Sequence, residues 1–201
     1  MITAGGIVVA AIAAFLAGLA RVSRHRWLNI PALIYIDLFR GTSALVQLFW
    51  AYFVLPLWGI ELNALVVGIL VLGLNIGAYG AEVVRSAIEA VPTGQTEAAI
   101  ALNFSETQTM WRIIFPQALP AMLPTFGNLS IELLKSTALV STISLSELTF
   151  KGQILRSATF RSAEIFTLIL FLYFIVAQAI AWGFRRLERR FNVGRDYGGL
   201  R

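Results

Sequence analysis

Five long apolar stretches constrain this chain more than any other feature of its sequence. A membrane-spanning helix needs about 20 apolar residues, and such stretches lie at 2–20, 43–58, 62–84, 124–143 and 165–184. The second is short unless the amphipathic segment before it contributes to the span. Because 58% of the residues are hydrophobic and only 13% are charged, the chain is too apolar for an ordinary soluble domain. The sequence therefore predicts an all-α membrane protein with about five transmembrane helices in a single domain, 1–201.

The first stretch could be either a secretory signal or a retained span. A signal carries positive charge before its apolar run. Here no basic residue precedes the run, and Arg21, Arg24 and Arg26 follow it. We therefore expect a retained span.

Lys and Arg residues are distributed unevenly between the loops, and in membrane proteins they accumulate on the cytoplasmic side. One set of loops holds only Lys151, Arg156 and Arg161. The other set holds Arg21, Arg24, Arg26, Arg85, Arg112, Arg185, Arg186, Arg189, Arg190, Arg195 and Arg201. This asymmetry predicts an amino terminus outside and a basic cytoplasmic tail at 185–201, whose arginines attract lipid headgroups. The net charge of +5 does not indicate nucleic-acid binding, because the basic residues flank apolar runs rather than covering one polar face.

A polar island at about 92–116 separates the third and fourth stretches. Pro92 ends the preceding span, and Thr93 can cap a short helix. Asn103 stands where a helix would end through a left-handed residue. Ser105 and Gln108 have the spacing of a capping box, and Pro116 is expected to end the second helix. The pattern predicts a hairpin of two capped helices on the membrane surface.

Small residues mark one stripe of the third stretch. Gly73 and Gly77 are four residues apart, and Ala81 continues the row. Small residues allow helices to approach closely in lipid. The stripe is explained either by packing within the chain or by a contact between two subunits.

Charged and hydroxyl side chains interrupt the fourth stretch. Each charged group inside a bilayer costs about 2.5–3.5 kcal/mol on insertion scales, so Glu132 and Lys135 need protein, water or a partner. At a spacing of three residues they can neutralise each other. Ser136 and Thr137 extend the polarity, so a hydrated translocation path and a purely structural network both remain open. Pro116, Pro120 and Pro124 precede this region, and we expect an irregular connector there because each removes a backbone donor.

The hairpin carries a resemblance to a known family. Its residues Gly94, Gln95, Glu97, Ala98, Ala99, Asn103, Ile113 and Pro116 resemble the EAA loop of bacterial ATP-binding-cassette importer permeases, within the polar amino acid uptake group. Two departures are Asn103, where the family usually has Gly, and Phe115, where it usually has Leu. FRGTSALVQLFW at 39–50 is similar to the same group, with Ser43 in place of the usual Pro.

The resemblance implies the type I importer permease fold in a bacterial plasma membrane. It also implies three kinds of partner: ATPase subunits that dock on the hairpin, an extracytoplasmic substrate-binding protein, and an identical or paralogous second permease. Transport would proceed by alternating access, with polar amino acids as cargo. An opine, or a compatible solute such as ectoine, is the alternative cargo. An ion-coupled carrier that uses Glu132 and Lys135 as a relay is the alternative of another class, although we find no internal repeat.

The sequence contains no constellation that indicates catalysis. Only two lysines are present, and neither follows a phosphate-binding glycine pattern. No nucleophile, carboxylate pair or metal-ligand cluster stands at catalytic spacing. With no cysteine and a single histidine, His25, in a basic loop, we expect neither a metal nor a bound cofactor. ATP would therefore be bound and hydrolysed by a partner subunit.

Overall fold

The computed structural model describes residues 1–192, and all regular elements in this part of the chain are helical. The amino-terminal half contains α1 (Ile2–Val22), α2 (Arg26–Gly41), α3 (Ala44–Phe49) and α4 (Ala64–Glu89). The carboxyl-terminal half contains α5 (Thr93–Ala101), α6 (Glu106–Thr109), α7 (Phe115–Ser136), α8 (Leu148–Thr159) and α9 (Ser162–Asn192). The part of the predicted basic tail beyond 192, with Arg195 and Arg201, lies outside the described residues.

The centre of the fold is the close contact between α1 and α4. A Cβ atom added at Gly73 would lie 2.7 Å from the Val9 side chain, and one added at Gly77 would lie 2.7 Å from the Cβ of Ala13. Ala81, on the same stripe, is completely buried. Because α1 occupies this stripe, packing within the chain accounts for all three small residues.

The second predicted span is a broken helix. Helix α2 and the segment from Ala44 to Trp58 meet at an angle of 104°. In a membrane, backbone groups freed at such a break need internal partners. The Asn75 Nδ2 group donates to the carbonyl of Phe39 at 2.9 Å, and the Gln47 side chain donates to the same carbonyl at 3.0 Å. Two side-chain amides therefore stabilise the bend.

The region around the three prolines is regular, contrary to the irregular connector predicted from the sequence. A π-helical turn at Met110–Ile114 joins α6 to α7, which begins at Phe115 and contains Pro120 and Pro124. Pro116 lies in the first turn of α7, so it does not end a helix as predicted. The missing backbone donor of Pro116 falls directly after the π-helical turn, where the regular hydrogen-bond ladder of the α-helix is already interrupted. The chain is therefore helical without a break from Glu106 to Ser136.

Helix α8 was not predicted. It packs against the start of α9, where Gly152 contacts Ile169. The Glu147 carboxylate caps it by accepting a hydrogen bond from the backbone N–H of Phe150 at 2.8 Å. The Tyr173 hydroxyl donates to the other oxygen of Glu147 at 3.2 Å. Only Gly152 is buried along α8, so little of this helix packs against the rest of the described chain.

Three of the described helices are long and apolar enough to cross a membrane: α1, α4 and α9. Helix α2 and the segment after it, taken together as one bent span, make a fourth candidate for crossing the membrane. Helix α7, with 22 residues, is long enough but is not apolar enough to be among them, although it covers part of the predicted fourth span. Its prolines and its polar residues lower its apolar character. A 3₁₀ segment at Thr137–Ile143 follows it and packs against α3 and α4.

Candidate functional site

The polar island forms a short helix followed by a tight turn. Helix α5 begins at Thr93, and Pro92 precedes it without a side-chain cap, so the predicted capping role of Thr93 is wrong. Gly94 is exposed, and a Cβ atom there would meet nothing within 4 Å. The helix packs against the Met110–Ile114 turn. Its start is therefore open to solvent on the side away from that turn.

The turn after α5 has the predicted left-handed residue. Asn103 has a φ of 57°. The Phe104 N–H donates to the Ala99 carbonyl at 3.0 Å, and the Asn103 N–H donates to the Ile100 carbonyl at 2.9 Å. This pair of bonds is the Schellman arrangement, which satisfies carbonyls at the helix end. Asn in place of the family's usual Gly therefore leaves the turn intact.

The predicted capping box is also present. The Gln108 N–H donates to the Ser105 hydroxyl at 3.3 Å, and the Ser105 N–H donates to the Gln108 side-chain oxygen at 2.9 Å. This reciprocal pair of hydrogen bonds starts α6. The helix then continues through the π-helical turn that contains Ile113 and into α7. The second arm of the hairpin is therefore the beginning of a long helix that enters the membrane domain.

The hairpin divides its side chains into an inner and an outer set. Ala99 is completely buried within the chain, whereas Glu97 and Ala98 are exposed. Within the described part of the chain the Glu97 carboxylate has no hydrogen-bond or ion-pair partner. Ile100 is 65% exposed and Leu102 is 72% exposed. Two large apolar side chains are therefore left exposed close to a free carboxylate on this surface.

Polar contacts fasten the hairpin to the rest of the chain. The Gln117 side-chain amide donates to the Gln95 side-chain oxygen at 3.2 Å and to the Ile113 carbonyl at 2.9 Å. The Arg24 guanidinium lies 2.6 Å from the Glu106 carboxylate. That ion pair is largely exposed and contributes little to stability. The hairpin is thus connected to α7 and to the loop between α1 and α2.

One face of α7 is polar and exposed, and the opposite face is buried in the fold. Thr125, Asn128, Glu132 and Lys135 are all exposed and recur at helical spacing. We call these four residues the α7 polar face. Glu132 and Lys135 form no ion pair within the described residues, although their spacing would allow one. Thr125 and Asn128 were not predicted from the sequence, although their spacing from Glu132 follows the helical period.

Hydroxyl groups after Lys135 donate hydrogen bonds to backbone carbonyls. Thr137 is buried, and its hydroxyl donates to the Leu134 carbonyl at 2.7 Å. Ser141 and Thr142 donate to the Ala138 and Leu139 carbonyls at 2.7 and 2.6 Å. Ser136 is half-buried at the end of α7. The translocation path considered from the sequence comprised Glu132, Lys135, Ser136 and Thr137. In the structure Glu132 and Lys135 lie on the exposed face of α7, whereas the Thr137 side chain is buried.

The described chain thus combines several apolar helices, a surface hairpin between α4 and α7, and a charged face on α7. The chain belongs to the family of binding-protein-dependent transport system inner membrane components, which matches residues 6–193. It is therefore the translocation subunit of a binding-protein-dependent importer in the inner membrane. The predicted family and permease fold are confirmed.

Characterised and probable permeases resemble the chain over most of its length. A probable amino-acid ABC transporter permease of Sinorhizobium fredii is 45% identical, with 89% of this chain and 77% of the relative covered. The octopine transport system permease of Rhizobium meliloti is 39% identical, covering 92% of this chain and 83% of that permease. The glutamine transport system permease of Escherichia coli is 35% identical, covering 94% and 86% respectively.

Solved structures show the same fold. The crystal structure of an amino acid ABC transporter with histidines has a TM-score of 0.86 at 33% identity, covering 94% of this chain and 88% of that chain. An inward-facing conformation of the MetNI methionine ABC transporter has a TM-score of 0.75 at 20% identity, covering 94% and 89%. At that lower identity the second likeness concerns the fold alone.

Proposed function

We propose that this chain forms half of the translocation path of an ATP-driven importer of polar amino acids. The α7 polar face carries this proposal. Two charged side chains facing lipid would each cost about 2.5–3.5 kcal/mol, and Glu132 and Lys135 do not neutralise each other. Their face therefore requires water or another protein within the membrane. A hydrated path between two permease subunits satisfies that requirement.

The second subunit is either identical to this chain or a paralogue of it. Sinorhizobium fredii contains two probable amino-acid permeases that both resemble this chain, at 45% and 33% identity. That observation supports a paired arrangement of related permeases. An isologous pair would bring both α7 polar faces toward one axis.

The proposed cargo follows from the relatives. Their names include glutamine, cystine and unspecified amino acids, and a zwitterionic ligand is compatible with a face that bears one acidic and one basic side chain. An opine is the second candidate, because the octopine permease is 39% identical. Selection of the cargo would also depend on the substrate-binding protein.

The hairpin is proposed to dock on the partner ATPase, which would bind and hydrolyse ATP while this chain remains non-catalytic. Ala98, Ile100 and Leu102 supply the exposed contact surface, and Glu97 lies beside it. Because the helix is continuous from Glu106 to Ser136, a displacement of the hairpin would be carried along α7 to the polar face. This rigid connection supports alternating access driven from the ATPase.

The proposed orientation places the hairpin and the carboxyl terminus in the cytoplasm and the amino terminus outside. The ends of α1 and α9 near the hairpin carry Arg21, Arg24 and four arginines at 185–190. The opposite end carries only Lys151, Arg156 and Arg161. This arrangement agrees with the preference of Lys and Arg for cytoplasmic loops.

The test is ATPase activity and uptake by the chain reconstituted in lipid with its candidate ATPase, with and without a binding protein that presents a panel of amino acids. We expect ligand-dependent stimulation. Glu132→Gln and Lys135→Met should lower uptake by about tenfold, which corresponds to about 1.4 kcal/mol. Glu61→Gln, at an exposed loop position, is the control and should leave uptake unchanged.

A second pair of variants tests the hairpin separately. Leu102→Ser should weaken association with the ATPase, whereas Leu57→Ser, at a residue that is 79% exposed on the opposite side, should not. Uptake that proceeds without ATP but requires a proton or sodium gradient would overturn the importer mechanism in favour of an ion-coupled carrier.

A further inference from the structure

An arginine side chain lies close to the middle of the membrane, at the bend that follows α2. The Asn75 side chain donates to the Phe39 carbonyl at 2.9 Å, and Asn75 stands close to the midpoint of α4, Ala64–Glu89. Arg40 follows Phe39 directly and is exposed. Because α4 is long and apolar enough to cross a membrane, Arg40 lies near half the thickness of the bilayer and not at the level of the headgroups.

The Tyr79 ring connects Arg40 to α7. The Arg40 guanidinium carbon lies 5.3 Å from the centre of the Tyr79 ring, which is within the range of a cation–π contact. Tyr79 itself packs against the apolar cluster that contains Leu129 of α7. Asn128, the residue before Leu129, belongs to the α7 polar face. Arg40 and this part of the α7 polar face therefore lie at the same level of the membrane, with Tyr79 in contact with both Arg40 and α7.

Arg40 has no carboxylate partner within the described residues. The ion pairs there are Arg24–Glu106, Arg85–Glu82 and Arg85–Glu89. Glu82 lies within electrostatic range of Arg40, but one of its carboxylate oxygens already accepts from two Arg85 nitrogens, at 2.8 and 3.1 Å. Asp37, one turn before Arg40 on α2, is exposed and is not bonded to it. The guanidinium donors are therefore open to an anion that the described residues do not supply.

The depth of Arg40 and its chemistry together favour a carboxylate ligand. A charged group that faces lipid at this depth is unfavourable, so Arg40 requires water or an anion. A guanidinium group presents five N–H donors in a planar fork, which matches the two oxygens of a carboxylate. Every amino acid carries such a group at its α-carbon.

We propose that Arg40 binds the α-carboxylate of the amino acid cargo as it passes the α7 polar face. The inference rests on the proposed function, because it places the cargo in a path beside that face. A carboxylate is common to all amino acids, so Arg40 holds the cargo without selecting its side chain. Selection among side chains is then left to other residues and to the substrate-binding protein.

The test compares two probes: the amino acid of the uptake panel that the wild-type complex imports best, and its α-carboxamide, which has the same shape without the negative charge. Binding of each probe is measured on the permease and its ATPase in lipid discs, without the binding protein. Arg40→Gln should lower the affinity for the amino acid by about tenfold and leave the affinity for the carboxamide unchanged. Arg40→Lys should retain part of the affinity, because it keeps the charge but not the fork. Arg26→Gln, at the exposed start of α2, is the control and should change neither affinity.

Cysteine labelling tests whether Arg40 is open to water. The chain has no cysteine, so Arg40→Cys introduces a single thiol near the middle of the membrane. A hydrophilic thiol reagent should modify it, because the reactive thiolate forms only where water reaches it. Ile12→Cys is the control and should not react, since Ile12 is 56% exposed on the face of α1 that points away from α4.

Several results would overturn the inference. A wild-type complex that binds the amino acid and its carboxamide equally, or an equal loss of both affinities in Arg40→Gln, would mean that Arg40 does not contact the carboxylate. An unreactive thiol in Arg40→Cys would mean that no hydrated path reaches it, and loss of the second permease from purified Arg40→Gln would assign the residue to the subunit contact. Absence of ATP-dependent uptake by the wild-type complex is a different failure, because it contradicts the proposed function itself.

Discussion

Replacing Gly77 with alanine tests the contact between α1 and α4 on which the fold depends. The added Cβ atom would lie 2.7 Å from the Cβ of Ala13 and 3.1 Å from the Ala10 carbonyl oxygen. Since carbon atoms in contact are normally about 3.5–4.0 Å apart, α1 would have to move by about 1 Å. Overpacking of this kind costs about 1–3 kcal/mol, and the greater helix preference of alanine offsets about 0.5–1 kcal/mol. We expect a net loss of about 1 kcal/mol in the free energy of unfolding.

Reversible unfolding in mixed detergent micelles, followed by tryptophan fluorescence, measures this free energy. Gly183→Ala is the control, because a Cβ atom there meets nothing within 4 Å, and it should be neutral or stabilising. Adding Ala13→Gly to Gly77→Ala removes one of the two clashing methyl groups. The double-mutant cycle should therefore show a favourable coupling of about 1 kcal/mol.

The reasoning is refuted if Gly77→Ala is no more destabilising than Gly183→Ala, or if the cycle shows no coupling. Either result would mean that α1 does not lie against the small residues of α4. The stripe of Gly73, Gly77 and Ala81 would then be available to a second subunit, as the alternative interpretation of the sequence held.

Three further changes test other local features. Asn103→Gly should preserve the turn, whereas Asn103→Val should destabilise it by at least about 1–2 kcal/mol because of the left-handed backbone; hydrogen exchange at the Phe104 amide measures this, and equal exchange in both variants would contradict it. Asn75→Leu should lower the free energy of unfolding by about 0.5–1.5 kcal/mol, because the Phe39 carbonyl loses one of its two donors and the Gln47 side-chain oxygen loses the donor from Asn75; an unchanged melting temperature in detergent would argue against the role of this amide. Ser105→Ala should cost about 1 kcal/mol of local stability and increase exchange at the Gln108 amide, while Thr107→Ala should not.

Features that depend on neighbouring residues in the chain could be predicted from the sequence. The left-handed Asn103, the capping box at Ser105 and the surface location of the hairpin each follow from a few adjacent residues. Glu82 and Arg85 are three residues apart, a spacing that suits an ion pair on one helix face, and they form one at 2.8 Å. All of these depend on backbone geometry or on helical spacing, which operate over one or two turns.

Features that depend on packing could not be predicted in the same way. Helix α8 buries only Gly152, so no packing against the core distinguishes it from an exposed loop. The direction of the α7 polar face follows from which side of α7 contacts α4 and α9, and spacing alone does not identify those neighbours. Thr137 has a polar side chain next to Lys135 in sequence, yet it points inward because its hydroxyl satisfies the Leu134 carbonyl.

The incorrect prediction that Pro116 ends a helix has the largest consequence for how the hairpin is connected to the membrane domain. A helix that ended there would join the hairpin to the membrane domain through an irregular connector, which would bend under load and absorb part of a displacement. The observed helix instead admits Pro116 in its first regular turn, after the π-helical turn at Met110–Ile114. About 30 residues at a rise of about 1.5 Å each give a helical path of at most about 45 Å, which has the hairpin at one end and Glu132 and Lys135 near the other. Under the proposed mechanism, a displacement at the ATPase surface reaches the polar face without an intervening loop.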